Sequence, residues 1–348
     1  MAFVHWAKSL SIIIIGSGLG GVTVAEELRK LSPDASIRIV TQETHGFYAR
    51  PMLSHAFTRD DIEEKIILKS FDALRAQGIA IDDGAIVTAI DASSHEITVE
   101  RSGIPETLAY QTLILAPGSE SFVPPPFRET ADVLLKVNSL EDVIRLRRLR
   151  AEAQSRGQRP RWAIIGGGLI GCEIASDFAR AGDDVTLIHP LPRLMERQLE
   201  DDDALLLESI LKDQGVRVLT ETPIKAIQSG EGNQSIVLEN ETLTALTGIL
   251  LCTGFKPRTH LAETAGLKTG RGIKVDSFLK TSASDIYAVG DAVEFEDGRI
   301  FAYILPVKQQ ASWLARHLTG EIQAPWTPPD FKPRAKIQGF TATHPYKT

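Results

Sequence analysis

Gly16-Ser17-Gly18-Leu19-Gly20-Gly21 follows the apolar run Ile12–Ile15, and Gly166-Gly167-Gly168-Leu169-Ile170-Gly171 follows Trp162–Ile165. Each stretch reads strand, G-x-G-x-x-G, helix. In this pattern Gly16 and Gly166 make the tight turn, Gly18 and Gly168 let the backbone approach a pyrophosphate, and Gly21 and Gly171 pack helix against strand. The helix N-terminus then offers N–H groups and the positive end of its dipole to the phosphates. One such motif is a weak signal. Two in one chain, 150 positions apart and each in its required context, point to a protein that holds two dinucleotides at once.

Composition sets limits on that reading. The 348 residues suffice for about two domains with full cores. Apolar content of 43% and charged content of 24% are ordinary for an α/β protein. The net charge of −7 argues against nucleic acid as a bulk partner. The N-terminal apolar stretch is too short for a signal peptide and runs into the first fingerprint. Nor is any apolar run long enough to span a bilayer, so the expected location is the cytoplasm. The two cysteines, Cys172 and Cys252, show no metal-ligand or C-x-x-C spacing and read as small buried side chains. No metal site is expected. Residues 1–171 contain no cysteine, which excludes a redox disulfide beside the first fingerprint.

Around the first fingerprint the sequence predicts strand Ile12–Ile15, a helix from about Leu19 to Leu31 ended by Pro33, and strand Ser36–Val40. Glu43 follows that strand, where a carboxylate can accept the hydroxyls of an adenine ribose; the plain alternative is a solvated loop acid. Residues 61–80 read as a helix and its exit, with strands at roughly 85–90, 95–101 and Thr112–Ala116. Val123-Pro124-Pro125-Pro126 reads as a stiff linker. A helix capped by Asn138 or Ser139 runs to about Gln154, its arginines Arg145, Arg147, Arg148 and Arg150 forming a solvated face.

The second fingerprint repeats the pattern as Trp162–Ile165, helix Leu169–Ala181 and strand Val185–Ile188. The acid typical of an NAD site is replaced by His189-Pro190. Arg193 and Arg197 nearby can meet a 2′-phosphate or be surface charges, which leaves NADH against NADPH open. A helix at about 201–213, a strand at Val216–Leu219 and a meander over 224–246 follow. Thr281-Ser282-Ala283-Ser284-Asp285-Ile286-Tyr287-Ala288-Val289-Gly290-Asp291 then places an acid directly after a strand and a glycine, suited to an extended polyol chain.

Together these elements resemble the two-dinucleotide-binding-domain flavoproteins of the pyridine nucleotide–disulfide reductase fold, over roughly residues 10–320. Within that fold the chain most resembles rubredoxin and flavorubredoxin reductases, through Tyr48-Ala49-Arg50-Pro51-Met52-Leu53-Ser54-His55, Gly168-Leu169-Ile170-Gly171-Cys172-Glu173 and Gly290-Asp291. The resemblance implies an α/β architecture of two Rossmann-like, three-layer domains. One, residues 10–120 plus 245–318, takes FAD; the other, 121–244, takes NAD(P)H, with NADH favoured. Residues 319–348 are then a truncated C-terminal extension or tail, with one plausible strand, Ala335–Phe340.

The same resemblance supplies site residues. Gly16, Gly18, Gly21, Glu43, Ala116, Gly118 and Asp291 fall at FAD positions, and Arg50 and Pro51 at flavin contacts. The A-T-G turn of the family appears as Ala116-Pro117-Gly118, without its threonine. Gly166, Gly168 and Gly171 fall at the NAD(P)H site. Glu173 matches an acid that relatives pair with a lysine near the flavin N5 edge; that lysine position is His55 here, and a His55–Glu173 pair is the expectation. A helix over Val307–Leu318 is expected to direct its N-terminus at the flavin N1–C2=O end, with Lys308 adding a charge there or lying on the surface.

The reaction so implied passes a hydride from NAD(P)H to FAD and then single electrons to a carrier protein, rubredoxin or a rubredoxin-like domain. The basic tail residues Lys332, Arg334 and Lys336 suit an acidic carrier, and a frayed end explains them equally. The other readings are a ferredoxin reductase component of an oxygenase system, or a flavin-bound NADH redox sensor with little turnover. The chain is expected to be a monomer or a homodimer.

Overall fold

The computed structural model describes residues 11–230, 233–332 and 334–347. Residues 1–10, on which the reading against a signal peptide falls, lie outside the described residues. So do 231 and 232 in the 224–246 meander, and 333 and 348 in the tail. The chain divides into two units, each built on a five-stranded parallel sheet.

The first unit comprises the described residues up to Ala49, Ile67–Glu120 and Lys256–Phe331. Its sheet runs in the order Ile286–Ala288, Thr112–Leu115, Ser11–Ile15, Ser36–Val40, Ala80–Asp82. Ile12–Ile15 are all buried, as a strand covered on both faces requires. Helix Leu19–Leu31 buries Val22, Val24, Ala25 and Leu28 at helical spacing. From Ser11–Ile15 the chain moves first to one side of the sheet and later returns on the other. The order therefore reverses between Ser11–Ile15 and Thr112–Leu115, where sheets of this kind open a crevice at their carboxyl ends.

The helix expected over 61–80 is not formed as one piece. Ile62–Lys65 is a single turn, Ile67–Lys69 a strand, and Phe71–Ala76 a second helix whose N-cap Ser70 accepts the Ala73 N–H at 3.1 Å. The β-branched pair Ile66-Ile67 followed by a capping serine breaks the helix there. A further strand, Ile104–Ala109, completes an antiparallel sheet with Ile86–Asp91 and Glu96–Arg101. It is an edge strand, which is how Pro105 is accommodated.

The second unit comprises Arg50–Ile66, Ser121–Phe255 and the residues from Lys332 onward. It thus takes in 245–255, the Arg50–His55 turn and the tail, all of which the expected domain limits place elsewhere. Its sheet order is Leu134–Leu135, Gly248–Leu251, Arg161–Ile165, Asp184–Ile188, Val216–Leu219, with the reversal beside Arg161–Ile165. Helix Leu140–Ser155 opens with a capping box in which Ser139 Oγ accepts the Asp142 N–H and Asp142 accepts the Ser139 N–H.

The arginines of that helix depart from a solvated face. Arg147 donates to the carbonyls of Ala56, Arg59 and Asp60, and Arg150 grips Asp183 through both carboxylate oxygens. Arg145 and Arg148 are exposed. Among the described residues, no helix is long and apolar enough to cross a membrane.

Candidate dinucleotide sites and the Glu173 cluster

The three glycines of each fingerprint are required for different reasons. A Cβ built on Gly16, where φ is +107°, would lie 2.2 Å from the Ala116 carbonyl oxygen. One on Gly21 would lie 2.0 Å from the Gly16 oxygen. Backbone therefore forbids a side chain at both. Gly18 is extended, and a Cβ there meets no protein atom within 4 Å. The protein leaves that space open beside the start of helix Leu19–Leu31, which has no side-chain cap. First-turn N–H groups lack intrahelical acceptors and carry the positive end of the helix dipole, so the arrangement fits a pyrophosphate.

Other expected residues of the first unit gather at the same carboxyl ends. Ser17 Oγ lies 2.9 Å from Thr41 Oγ1, which also accepts the Glu43 N–H at 3.2 Å. Glu43 is half-buried, and the Tyr48 hydroxyl donates to its Oε1 at 3.0 Å, unlike a loose loop acid. Asp291 follows Gly290, whose φ is +89°, and accepts from Ser119 Oγ at 3.1 Å. The Gly290 N–H donates to Gln310 Oε1 at 2.8 Å. Gln310 is fully buried, and sequence reasoning passed over it; a lone amide among Val307, Ala311 and Leu314 is its only trace. Gly118 takes φ of +72° in the turn after Ala116.

The helix expected to begin at Val307 begins at Ile304 instead. Pro306 falls in its first turn, where the missing N–H costs no intrahelical bond. Lys308 lies one turn in and is exposed.

The second fingerprint has the same construction. A Cβ on Gly166, at φ +112°, would lie 2.3 Å from the Cys252 carbonyl oxygen, and one on Gly171 1.9 Å from the Gly166 oxygen. One on Gly168 meets nothing within 4 Å. The cysteines beside this turn are free; burial raises the thiol pKa of both, Cys252 to about 12.

Glu173 is 5% exposed on helix Leu169–Arg180. Its Oε2 accepts from Ser54 Oγ at 2.7 Å and its Oε1 from the Lys336 N–H at 2.8 Å. The expected His55–Glu173 pair is therefore not made. Arg50–His55 is a 3₁₀ turn, in which successive side chains diverge by a third of a revolution, so a Ser54 that faces Glu173 turns His55 away. His55 lies instead near Asp177, whose carboxylate accepts the Phe57 N–H at 2.7 Å and the Thr58 hydroxyl. In the same turn Arg50 donates to the Asn138 carbonyl, and Pro51 O accepts from Lys336 Nζ at 3.4 Å.

No strand forms over Ala335–Phe340. The segment finds no ladder partner: its Lys336 N–H goes to Glu173 and the Gln338 carbonyl to Gln214 Nε2, while Ile337 and Phe340 are buried. Nor is the tail frayed. Asp203 Oδ1 accepts the N–H and hydroxyl of Thr343 at 2.8 and 2.9 Å, and Oδ2 the His344 N–H at 3.0 Å. Burial works to raise the Asp203 pKa, but these bonds outweigh it and hold the group at about 2. A lowered carboxyl stabilises above its ordinary value of 3.8 and loses that contribution as pH falls through about 2. Asp203→Asn is expected to speed amide exchange of Thr343 and His344 by about tenfold or more at neutral pH, since hydrogen bonds to charged groups are the strong ones. Wild type should lose the same protection between pH 4 and 2. Unchanged exchange in the variant would show that the tail is held elsewhere.

The matches to known proteins agree with this geometry. The model for the pyridine nucleotide-disulphide oxidoreductase family matches residues 10–312. The chain is 33% identical over 313 residues to the nitric oxide reductase FlRd-NAD(+) reductase of Aliivibrio fischeri, covering 90% of this chain and 79% of that protein. It is 33% identical over 313 residues to the rubredoxin-NAD(+) reductase of Acinetobacter baylyi, covering 89% and 78%. The crystal structure of NADH:rubredoxin oxidoreductase from Clostridium acetobutylicum superposes with a TM-score of 0.77 at 25% identity, over 95% of this chain and 80% of that one. Two longer solved structures are spanned over only 60% and 62% of their lengths. With two dinucleotide-type turns on two parallel sheets and a family match across most of its length, the chain belongs to the pyridine nucleotide-disulphide oxidoreductase family.

Proposed function

We propose that the chain is an FAD-dependent NAD(P)H oxidoreductase that delivers electrons to rubredoxin or a rubredoxin-like carrier, with the first unit for FAD and the second for NAD(P)H. The observation that carries the reading is the pair of turns in which Gly18 and Gly168 leave open space that no protein packing explains. FAD, when bound, supplies the conversion between a two-electron nicotinamide and a one-electron carrier.

The remaining roles belong to the chain. Gly16–Gly21 and the helix after them hold the pyrophosphate, Glu43 takes the adenine ribose, and Asp291, steadied by Ser119, takes the polyol hydroxyls. Ser54 and the Lys336 N–H each donate to Glu173 and hold it at the nicotinamide side. His55 has no direct part in that pairing. Lys308 and the start of helix Ile304–Leu318 would supply positive potential beside bound FAD. No cysteine precedes Cys172, so no redox disulfide stands beside the first fingerprint, which favours an external carrier as acceptor.

The test is anaerobic mixing of the purified protein with NADH and oxidised rubredoxin, with NADPH and a plant-type ferredoxin in parallel. Rapid NADH-driven loss of the rubredoxin colour is expected. Bleaching of ferredoxin alone would assign the oxygenase-type reductase, and flavin reduction with neither carrier bleached would assign a sensor.

A further inference from the structure

We infer that Glu196 selects the nucleotide at the second fingerprint, favouring the plain adenosine ribose of NADH over the 2′-phosphorylated ribose of NADPH. The inference rests on the assignment of that fingerprint to NAD(P)H. Strand Asp184–Ile188 ends without the carboxylate that would accept ribose hydroxyls, and His189 takes its place.

The histidine does not face a ligand. It is 6% exposed, and its Nδ1 accepts the Gly167 N–H at 3.0 Å. A ring whose Nδ1 accepts carries its proton on Nε2, and Nε2 lies 3.1 Å from Glu196 Oε2. His189 is thus a bracket between the fingerprint backbone and a carboxylate seven residues on.

The intervening chain is shaped to bring Glu196 back. Met195 is buried with φ of +48°, a left-handed conformation that a methionine adopts only under constraint, and its N–H donates to Gly167 O at 2.8 Å. Leu194 packs so closely on Gly167 that a Cβ there would lie 2.5 Å from its Cδ2. The Glu196 side chain remains 23% exposed, so its carboxylate is bracketed without being sealed off.

The two arginines able to attract a 2′-phosphate, Arg193 and Arg197, each lie beside an acid. Arg193 is paired with Asp201. Arg197 is 85% exposed, with Nε 3.7 Å from Glu196 Oε1. A ribose diol finds an acceptor at this edge; a phosphate dianion meets a carboxylate.

The test is calorimetric binding of ADP-ribose and 2′-phospho-ADP-ribose to the flavin-loaded protein, in wild type, Glu196→Gln and Glu196→Ala. Glutamine retains an acceptor for His189 Nε2–H, and retained flavin together with an unchanged unfolding temperature checks the fold. Wild type is expected to bind ADP-ribose at least about tenfold more tightly, the scale of one charge-assisted hydrogen bond. Both variants should bring the ratio towards one, and kcat/KM for NADH against NADPH should follow. A ratio unchanged within a factor of two in both folded variants overturns the role of Glu196. Failure of wild type to bind either ligand overturns the assignment of the fingerprint itself.

Discussion

Gly168→Val is expected to leave the protein folded and to abolish reduction of its flavin by NADH, whereas Gly171→Val is expected to cost the fold as well. The two glycines sit three positions apart in one turn, and a tally of motif glycines treats them alike. The difference is in what a Cβ would meet. At Gly168 it meets no protein atom within 4 Å, and the backbone is extended at φ −78°, open to any residue. The expected loss in stability is about 1 kcal/mol or less, from the weaker N-cap that valine makes. A branched side chain then fills the space a pyrophosphate would occupy.

At Gly171 the new atom would lie 1.9 Å from the Gly166 carbonyl oxygen, so helix and strand must part. That is overpacking against backbone, expected to cost about 3 kcal/mol or more. Denaturant unfolding of the two variants, with NADH titrated by flavin reduction, separates the cases. Near-normal NADH affinity in Gly168→Val would remove the ligand from that space.

The second large effect is in the core of the second unit. Arg150→Met is expected to destabilise by about 3–5 kcal/mol, the range for stripping one partner from a buried ion pair. Asp183 is 2% exposed and accepts both carboxylate bonds from Arg150 Nε, at 3.0 and 2.9 Å, and one from Trp162 Nε1 at 2.9 Å. Burial pushes its carboxyl above the ordinary value, opposed by Trp162 and Arg150. Removing the guanidinium leaves a dry carboxylate with one donor, and also loses the cation over the Phe57 ring at 5.5 Å. Arg150→Met with Asp183→Leu should recover most of the loss, because two apolar groups leave no orphan charge. Urea unfolding of the single and double variants checks this; an additive double variant would mean that the pair is not coupled.

What the sequence made legible was local. Each strand–glycine–helix unit is contiguous, so the turns at Gly16–Gly21 and Gly166–Gly171 and the glycines that backbone packing requires in them could be read. Asp291 stood out because a short strand and Gly290 frame it. The features that escaped reading join distant positions: Ser54 and Glu173 are 119 apart, and Lys336 and Glu173 are 163 apart. Nothing in the Arg147 and Arg150 spacing distinguishes a solvated helix face from one that clamps a loop and a buried acid. Sequence showed that His189 lacked a carboxylate, but the buried turn at Met195 that returns one was hidden in its φ of +48°.

The second unit draws on three separated pieces of chain, which fixes when it can be finished on the ribosome. Once Phe255 has been made, all five strands of its sheet exist. Two of its buried carboxylates, Glu173 and Asp203, still wait for donors from Lys336, Thr343 and His344. Synthesis of the intervening Lys256–Phe331, which belongs to the first unit, must come between. The strands of the second sheet are therefore all made before the residues that seal it. Until then the second unit lacks the buried Ile337 and Phe340 and the donors to both carboxylates.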